Sequence, residues 1–422
     1  MSRKINRRAV IIVLDSVGAG HMPDSHLYGD ENANTLGNIS QHIPMCLPNM
    51  KKMGLGNILY INGTAPVSEP IAAFGKMAEA SAGKDTTTGH WEMAGLQLEK
   101  AFPSYTQEGF PLDVQEKFEK LINKKVIWKA SYSGTEILKD HGLKHLETGF
   151  PIVYTSADSV FQLAAHEELF EVTTAKGFFK GLDAVYECCR IAREEVLTGE
   201  HAVGRVIARP FTGDAPDNFK RTANRHDYAL IPMKPTVLDN LSSAGYDVIG
   251  IGKIKDIFAG SGITEFTYNA GIKTPAVSAS GTVSDIERTD ISGINNTIEY
   301  LKKDFTGLLF TNLVDFDMHF GHRNDIAGYR ENLIRFDHRL PDILKELRED
   351  DILIITADHG CDPTFKGTDH SREYVPLLVY GKKVKPCDLG IRRSFADIAA
   401  TIAEFFNIKP TEYGESFLSS IL

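Results

Sequence analysis

Carboxylates and imidazoles recur in this chain directly after apolar runs. Asp15 follows Ala9–Leu14, Asp317 and His322 follow Gly307–Val314, and Asp358 and His359 follow Ile352–Ala357, while His370 closes Gly367-Thr368-Asp369-His370. Mixed oxygen and nitrogen donors suit a borderline divalent ion such as Mn²⁺ or Zn²⁺ better than Ca²⁺. With no thiolate in the set, a catalytic metal fits better than a structural one. The set is too large for one ion that must keep an open position. It divides naturally between two ions, the arrangement that clamps phosphoryl oxygens. Taken singly, each Asp reads as a helix cap and each His as a packed imidazole; the shared strand-end context makes the group a candidate. His319, in the same loop as Asp317, reads as a neighbour of the ligands.

A second element is Gly83-Lys84-Asp85-Thr86-Thr87-Thr88-Gly89-His90-Trp91-Glu92-Met93. Threonines between glycines at the start of a helix offer hydroxyls beside unpaired backbone N–H groups, which suits an anion. A Thr oxygen next to a metal can be deprotonated near neutral pH and attack phosphorus. Taken alone, the motif reads first as a plain helix N-cap.

The elements that must position these residues are legible in outline. A β-branched run such as Ala9–Leu14, apolar on both faces, belongs at the centre of a parallel sheet covered by helices. Similar runs span Gly307–Val314, Asp351–Ala357 and Tyr374–Tyr380. Helical patterns lie between them at Asn295–Asp304 and Asp325–Glu349, the second expected to break or restart at Pro341. Ser394-Phe395-Ala396-Asp397 predicts a capping box ahead of Ile398, Ala399, Ile402 and Phe406. Strands alternating with helices indicate an α/β, doubly wound core whose functional loops sit at the carboxyl ends of the strands. Residues 99–229 differ: short β-type runs at Pro151–Thr155 and Val203–Ala208, a helix over Leu182–Leu197, and many turns. They predict an inserted α+β domain between core segments 1–98 and 230–422.

Composition narrows the class. The chain has 422 residues, 46 basic and 56 acidic, for a net charge of −10. That balance speaks against nucleic acid or an anionic membrane as partner, and no obligate protein partner is evident. Cys46, Cys188, Cys189, Cys361 and Cys387 form no C-x-x-C pair, which favours a reducing compartment over a disulfide framework. Arg3, Lys4, Arg7 and Arg8 precede an apolar run too short for a signal-peptide core. No run approaches the ~20 apolar residues a membrane helix needs. The expectation is a cytoplasmic protein.

Several segments together resemble the alkaline phosphatase superfamily: Val13–Gly18, Gly83–Glu92, Asp315–His322, Ala357–Gly360 and Gly367–His370. More narrowly, Tyr154–Val160, Val203–Pro210 and Asn224–Tyr228 extend the resemblance through the insert to the phosphopentomutase family. The resemblance implies an alkaline-phosphatase-like core with a cap domain, and isomerisation of ribose 1-phosphate and ribose 5-phosphate, and of the 2-deoxyribose pair. It implies two Mn²⁺ ions, one on Asp317, His322 and His370, the other on Asp15, Asp358 and His359. It makes Thr86 the phosphoryl-carrying nucleophile and puts Asp158, Arg205, Arg221 and Lys253 on the sugar phosphate. A 1,5-bisphosphate intermediate then requires priming by glucose 1,6-bisphosphate or ribose 1,5-bisphosphate. One departure is Cys361, where the resemblance leads one to expect Asn; the ligands stay intact, but the change bears on metal preference and oxidation.

Bidentate guanidinium groups suit phosphate, and Arg205, Arg209, Arg221 and Arg225 crowd the end of the insert. The rival readings are a cofactor-independent phosphoglycerate mutase, disfavoured by Lys84-Asp85-Thr86 where a serine nucleophile is expected, and a metal-dependent phosphatase or phosphodiesterase. The metal set alone does not separate transfer from hydrolysis.

Overall fold

The computed structural model describes residues 6–134, 136–156, 159–277 and 283–422. Asp158 lies outside the described residues. Chain contacts divide the molecule into two compact units, Met1–Ala101 with Pro232–Leu422, and Phe102–Ile231.

The first unit is built on an eight-stranded sheet. Its strands are β1 (Arg8–Leu14), β2 (Ala73–Met77), β3 (Asp247–Ile251), β4 (Glu265–Thr267), β5 (Gly307–Leu313), β6 (Ile352–Thr356), β7 (Val375–Tyr380) and β8 (Asp388–Arg392). They lie in the order β4-β3-β5-β1-β6-β7-β2-β8. Every residue of β1, β5 and β6 is buried, as two-sided burial by helices requires. Even Arg8 is fully enclosed, its Nε donating to Asp351 Oδ2 at 3.0 Å and its Nη1 to Leu301 O at 2.6 Å. All neighbours pair in parallel except β7, which runs antiparallel to both β6 and β2. A parallel return needs a crossover, usually a helix. The segment between β6 and β7 contains none, because its residues form the His359–His370 loop instead.

Four helices accompany the sheet, α1 (Thr86–Met93), α2 (Asp290–Lys302), which packs on β5 and β3, α3 (Ile326–Lys345) and α4 (Ala396–Phe406). Two expectations fail locally. Pro341 does not interrupt α3. The carbonyl it leaves without a helical donor is that of Asp337, and Asn49 Nδ2 donates to it at 2.9 Å. Nor does Ser394 form a capping box. Asp397 is engaged by Arg392 Nε and the Glu415 N–H, both at 2.7 Å, so it does not reach back. Glu92 on α1 takes over, accepting from Phe395 N at 2.9 Å and from Ser394 Oγ at 2.7 Å.

The second unit has its own mixed sheet, ordered 226–229, 205–212, 160–166, 152–155 and 127–131, with 220–221 added to 205–212. Its core packs Phe110, Phe118 and Phe161 with Val153, Val185 and Cys188.

A candidate metal centre and its threonine

Strand register delivers the candidate ligands to one edge. Leu14 pairs with Leu313 and Val13 with Thr356, so β1, β5 and β6 end level. β1 lies between the other two, at the kind of point where ligands bind in doubly wound sheets. Beyond it Ser16 adopts φ +71°, turning the chain so that its N–H donates to Asp358 Oδ1 at 3.0 Å.

The imidazole orientations follow from their partners. His359 Nδ1 lies 3.0 Å from Gly360 O; a carbonyl only accepts, so the proton sits on Nδ1. Its Nε2 lone pair therefore faces Asp358 Oδ2 at 3.4 Å and Asp15 Oδ1 at 3.5 Å, the latter a buried oxygen that accepts no hydrogen bond among the described residues. His322 repeats the pattern, with Nδ1 at 2.6 Å from Thr368 O and Nε2 at 3.1 Å from Asp317 Oδ2. His370 Nε2 is 3.4 Å from Asp317 Oδ1. Lone pairs directed at one another repel unless a cation lies between them. These residues fit metal ions.

Three donor groups have atoms all within 4.8 Å: Asp15, Asp358 and His359; Asp317, His359 and His370; Asp317, His322 and Cys361. The six candidates thus form one continuous cluster in which His359 reaches toward both ends. Cys361 adds a buried sulfur beside Asp317 and His322, and burial holds its thiol well above its ordinary pKa. His319 turns instead toward Asp315, at 3.8 Å.

Electrostatics point the same way. Burial, then the Asp358 and Asp317 carboxylates, push Asp15 well above the usual carboxylate range, opposed by Lys253 and the Asn312 amide. Burial lowers His359, keeping its imidazole neutral and able to donate a lone pair.

The threonine comes from the adjoining helix. Thr86 is the first residue of α1, and its Oγ1 lies 3.2 Å from His359 Nε2. The free N–H groups expected here are taken: Asp85 Oδ1 accepts from Thr87 N at 3.0 Å and Thr88 N at 3.1 Å. The helix start is thus capped by a carboxylate and presents a hydroxyl rather than an open amide nest. Gly89 brings α1 against the Asp358 loop; a Cβ there would stand 2.0 Å from Asp358 O.

The residues 7–410 match the model of the metalloenzyme superfamily. A phosphopentomutase of Acetivibrio thermocellus is 54% identical over 99% of this chain and 100% of its own. Those of Caldanaerobacter subterraneus (53%, 98% of each chain) and Carboxydothermus hydrogenoformans (54%, 98% and 99%) are similar to it to the same degree. The chain belongs to the phosphopentomutase family. The match of this chain to a metalloenzyme superfamily agrees with the donor cluster described above.

The remaining candidates of this phosphopentomutase-family chain divide between the units. Lys253 follows β3 in the first unit and is close enough to Asp15 to lower its pKa. Arg205 and Arg221 lie in the second, Arg205 Nη1 at 3.9 Å from Asp227 Oδ2 and Arg221 exposed on the strand 220–221. There Arg209 Nε donates to Gln162 Oε1 at 3.0 Å, and Arg225 pairs with Asp227 at 2.6 Å.

Two further residues escape the sequence reading. His90 Nδ1 lies 2.9 Å from Thr86 O and 3.1 Å from Asp358 Oδ2, so its N–H is shared between the threonine's turn and the ligand. Asn312 Nδ2 donates to Asp15 Oδ2 at 2.9 Å and reaches His90 Nε2 at 3.4 Å. His90 was findable, being four residues after Thr86 on one helix face. Asn312 gave a fainter signal, a polar residue inside an apolar strand.

Proposed function

We infer that the protein catalyses the phosphopentomutase reaction, interconverting ribose 1-phosphate and ribose 5-phosphate, and the 2-deoxyribose pair. The observation that carries this reading is full-length similarity to phosphopentomutases, joined to a threonine hydroxyl held against the donor cluster. Phospho-Thr86 gives its phosphoryl group to the free hydroxyl of a pentose monophosphate: the bond from phosphorus to Thr86 Oγ1 breaks as the bond to the sugar oxygen forms, and the proton lost by the sugar hydroxyl is balanced by the one Thr86 Oγ1 regains. The resulting 1,5-bisphosphate presents its other phosphate, which returns to Thr86, and the isomer leaves. Glucose 1,6-bisphosphate or ribose 1,5-bisphosphate starts the cycle.

Two Mn²⁺ ions are assigned, one to Asp317, His322 and His370 and one to Asp15, Asp358 and His359. Bound there, they would neutralise charge on the phosphoryl oxygens and favour the ionised threonine. The chain's own residues orient Thr86: Asp85 caps its helix, and His90 ties its turn to Asp358. Residues 99–229 are assigned the role of a cap that keeps water from phospho-Thr86. Asp158, Arg205, Arg221 and Lys253 are assigned to the sugar phosphate.

A coupled assay of pentose phosphate isomerisation, with and without Mn²⁺ and glucose 1,6-bisphosphate, tests this. Release of inorganic phosphate in place of ribose 1-phosphate would identify a hydrolase. Thr86→Ala should abolish turnover and phosphoprotein while retaining Mn²⁺ binding; a phosphorylated Thr86→Ala protein would sink the nucleophile assignment.

A further inference from the structure

One residue beyond His370 the chain carries two buried charged residues, Arg372 and Glu373, whose hydrogen bonds go to the loops that hold the candidate ligands. Ser371 and Glu373 form isolated β-bridges with Gly360 and His21, and the side chains of Arg372 and Glu373 reach different loops. Glu373 Oε2 accepts from Gly20 N at 3.1 Å and Thr35 N at 2.9 Å; Oε1 accepts from Thr35 Oγ1 and Ser371 Oγ, each at 2.7 Å. Four donors fill the carboxylate's lone pairs. Its approach is so close that a Cβ on Gly18 would fall 2.2 Å from Oε2, and one on Gly360 would fall 2.4 Å from Oε1. The carboxylate thus sits against the loop after Asp15, the residue after His359 and the residue after His370.

Arg372 reaches other loops. Its Nη1 donates to Gly83 O at 2.5 Å, Ser81 O at 2.9 Å and Glu79 Oε2 at 2.8 Å, and Nη2 to Asp24 Oδ2 at 3.0 Å. Gly83 lies three residues before Thr86. The neighbouring Lys84 pairs with Asp30 at 3.0 Å and Asp369 at 3.3 Å, while Asp30 also accepts the Arg372 N–H at 2.8 Å.

We propose that Arg372 and Glu373 are a positioning pair: Glu373 fixes the loops carrying Asp15, His359 and His370, and Arg372 fixes the loop carrying Thr86. The pair registers the threonine against the metal donors from one dipeptide. This rests on the metal and nucleophile assignments above.

The test uses the full-length chain as wild type, Glu373→Ala, Glu373→Gln, Gly360→Ala and Arg372→Lys. Mn²⁺ affinity is read by electron paramagnetic resonance of the free ion, and phosphorylation of Thr86 from glucose 1,6-bisphosphate by mass spectrometry. Supporting residues of this kind change metal affinity by about 10- to 100-fold. Glu373→Ala and Gly360→Ala should therefore weaken Mn²⁺ binding about tenfold. Glu373→Gln should restore most of it, since the amide keeps the shape and the two hydroxyls can turn to accept. Arg372→Lys should bind Mn²⁺ like wild type but phosphorylate Thr86 at least about tenfold more slowly. General loosening of the fold would not separate the two readouts in this way. Wild-type affinity in Gly360→Ala, or equal loss of both readouts in Arg372→Lys, overturns the proposal, and Gly360→Ala decides if Glu373→Ala does not fold. A wild type that neither binds Mn²⁺ nor acquires phosphothreonine refutes the functional reading itself, and the pair with it.

Discussion

His145 makes the second unit sensitive to acid in a way that can be worked out from its two ring nitrogens. Nδ1 lies 2.7 Å from Phe150 O and must carry the proton, while Nε2 accepts the His166 N–H at 2.9 Å. Protonating Nε2 would set N–H against N–H and bury a cation beside Phe170 and Phe211. Burial accordingly pushes this imidazole from 6.5 down to about 4. In the unfolded chain the same ring takes up a proton near pH 6.5. Between pH 6.5 and 4 the unfolded state holds the extra proton, so stability rises with pH across that window. The contribution is complete above 6.5 and is lost progressively as the pH falls to 4. At about 1.4 kcal/mol per pKa unit, the loss amounts to roughly 3 kcal/mol.

The measurement is hydrogen exchange of the amides in 160–166, corrected for intrinsic rates, from pH 7 to pH 4.5 in wild type and His145→Gln. Glutamine keeps a donor and an acceptor but does not titrate. The variant is less stable at pH 7, and the gap should narrow by about 1.4 kcal/mol for each pH unit below 6.5. Subtracting the variant's curve removes acid effects from the rest of the chain. Parallel curves for the two proteins would refute the reasoning, because they would mean that His145 binds its proton equally in both states.

Gly89→Ala places a methyl group 2.0 Å from Asp358 O, so α1 must retreat; turnover should fall about 100-fold, as for a misplacement of about 1 Å. Steady-state kinetics beside an unchanged circular dichroism spectrum would check this. Asn312→Leu removes the donor shared by Asp15 and His90 and should weaken Mn²⁺ binding about 10- to 100-fold by calorimetry. Thiol titration of the native protein should modify Cys46 at once, while Cys188, Cys189 and Cys361 react only on unfolding.

What the sequence makes legible here is whatever burial dictates locally. β1, β5 and β6 announce themselves because strands covered on both faces must be apolar at every position, and the residues just beyond them then fall at one edge. The direction of β7 is invisible in such a run, since apolar alternation is the same read either way; only the helix-free loop before it hints at an antiparallel return. Pro341 and Ser394 mislead for a common reason. Both rules concern a helix on its own, and in each case a distant side chain, Asn49 or Glu92, satisfies the group in question. Nothing in the local sequence singles out Arg372 and Glu373. Their burial depends on loops brought from residues 18–35 and 79–83, which no local pattern announces.

The capping of α1 also bears on why this site depends on metal. Had Thr87 and Thr88 left their N–H groups open, the helix start could have drawn a phosphate by itself. Asp85 occupies them with a carboxylate, and Asp15, Asp317 and Asp358 crowd the same edge of the sheet. Two like charges about 4 Å apart repel by about 4 kcal/mol at an effective dielectric constant of 20. A phosphate dianion facing several carboxylates would meet a multiple of that. Lys84 is engaged by Asp30 and Asp369, and among the described residues of this unit Lys253 is the cation whose charge lowers the Asp15 pKa. One ammonium does not balance that field. The same carboxylates that would repel a phosphate hold divalent cations well, so the arrangement favours phosphoryl chemistry only with its ions bound.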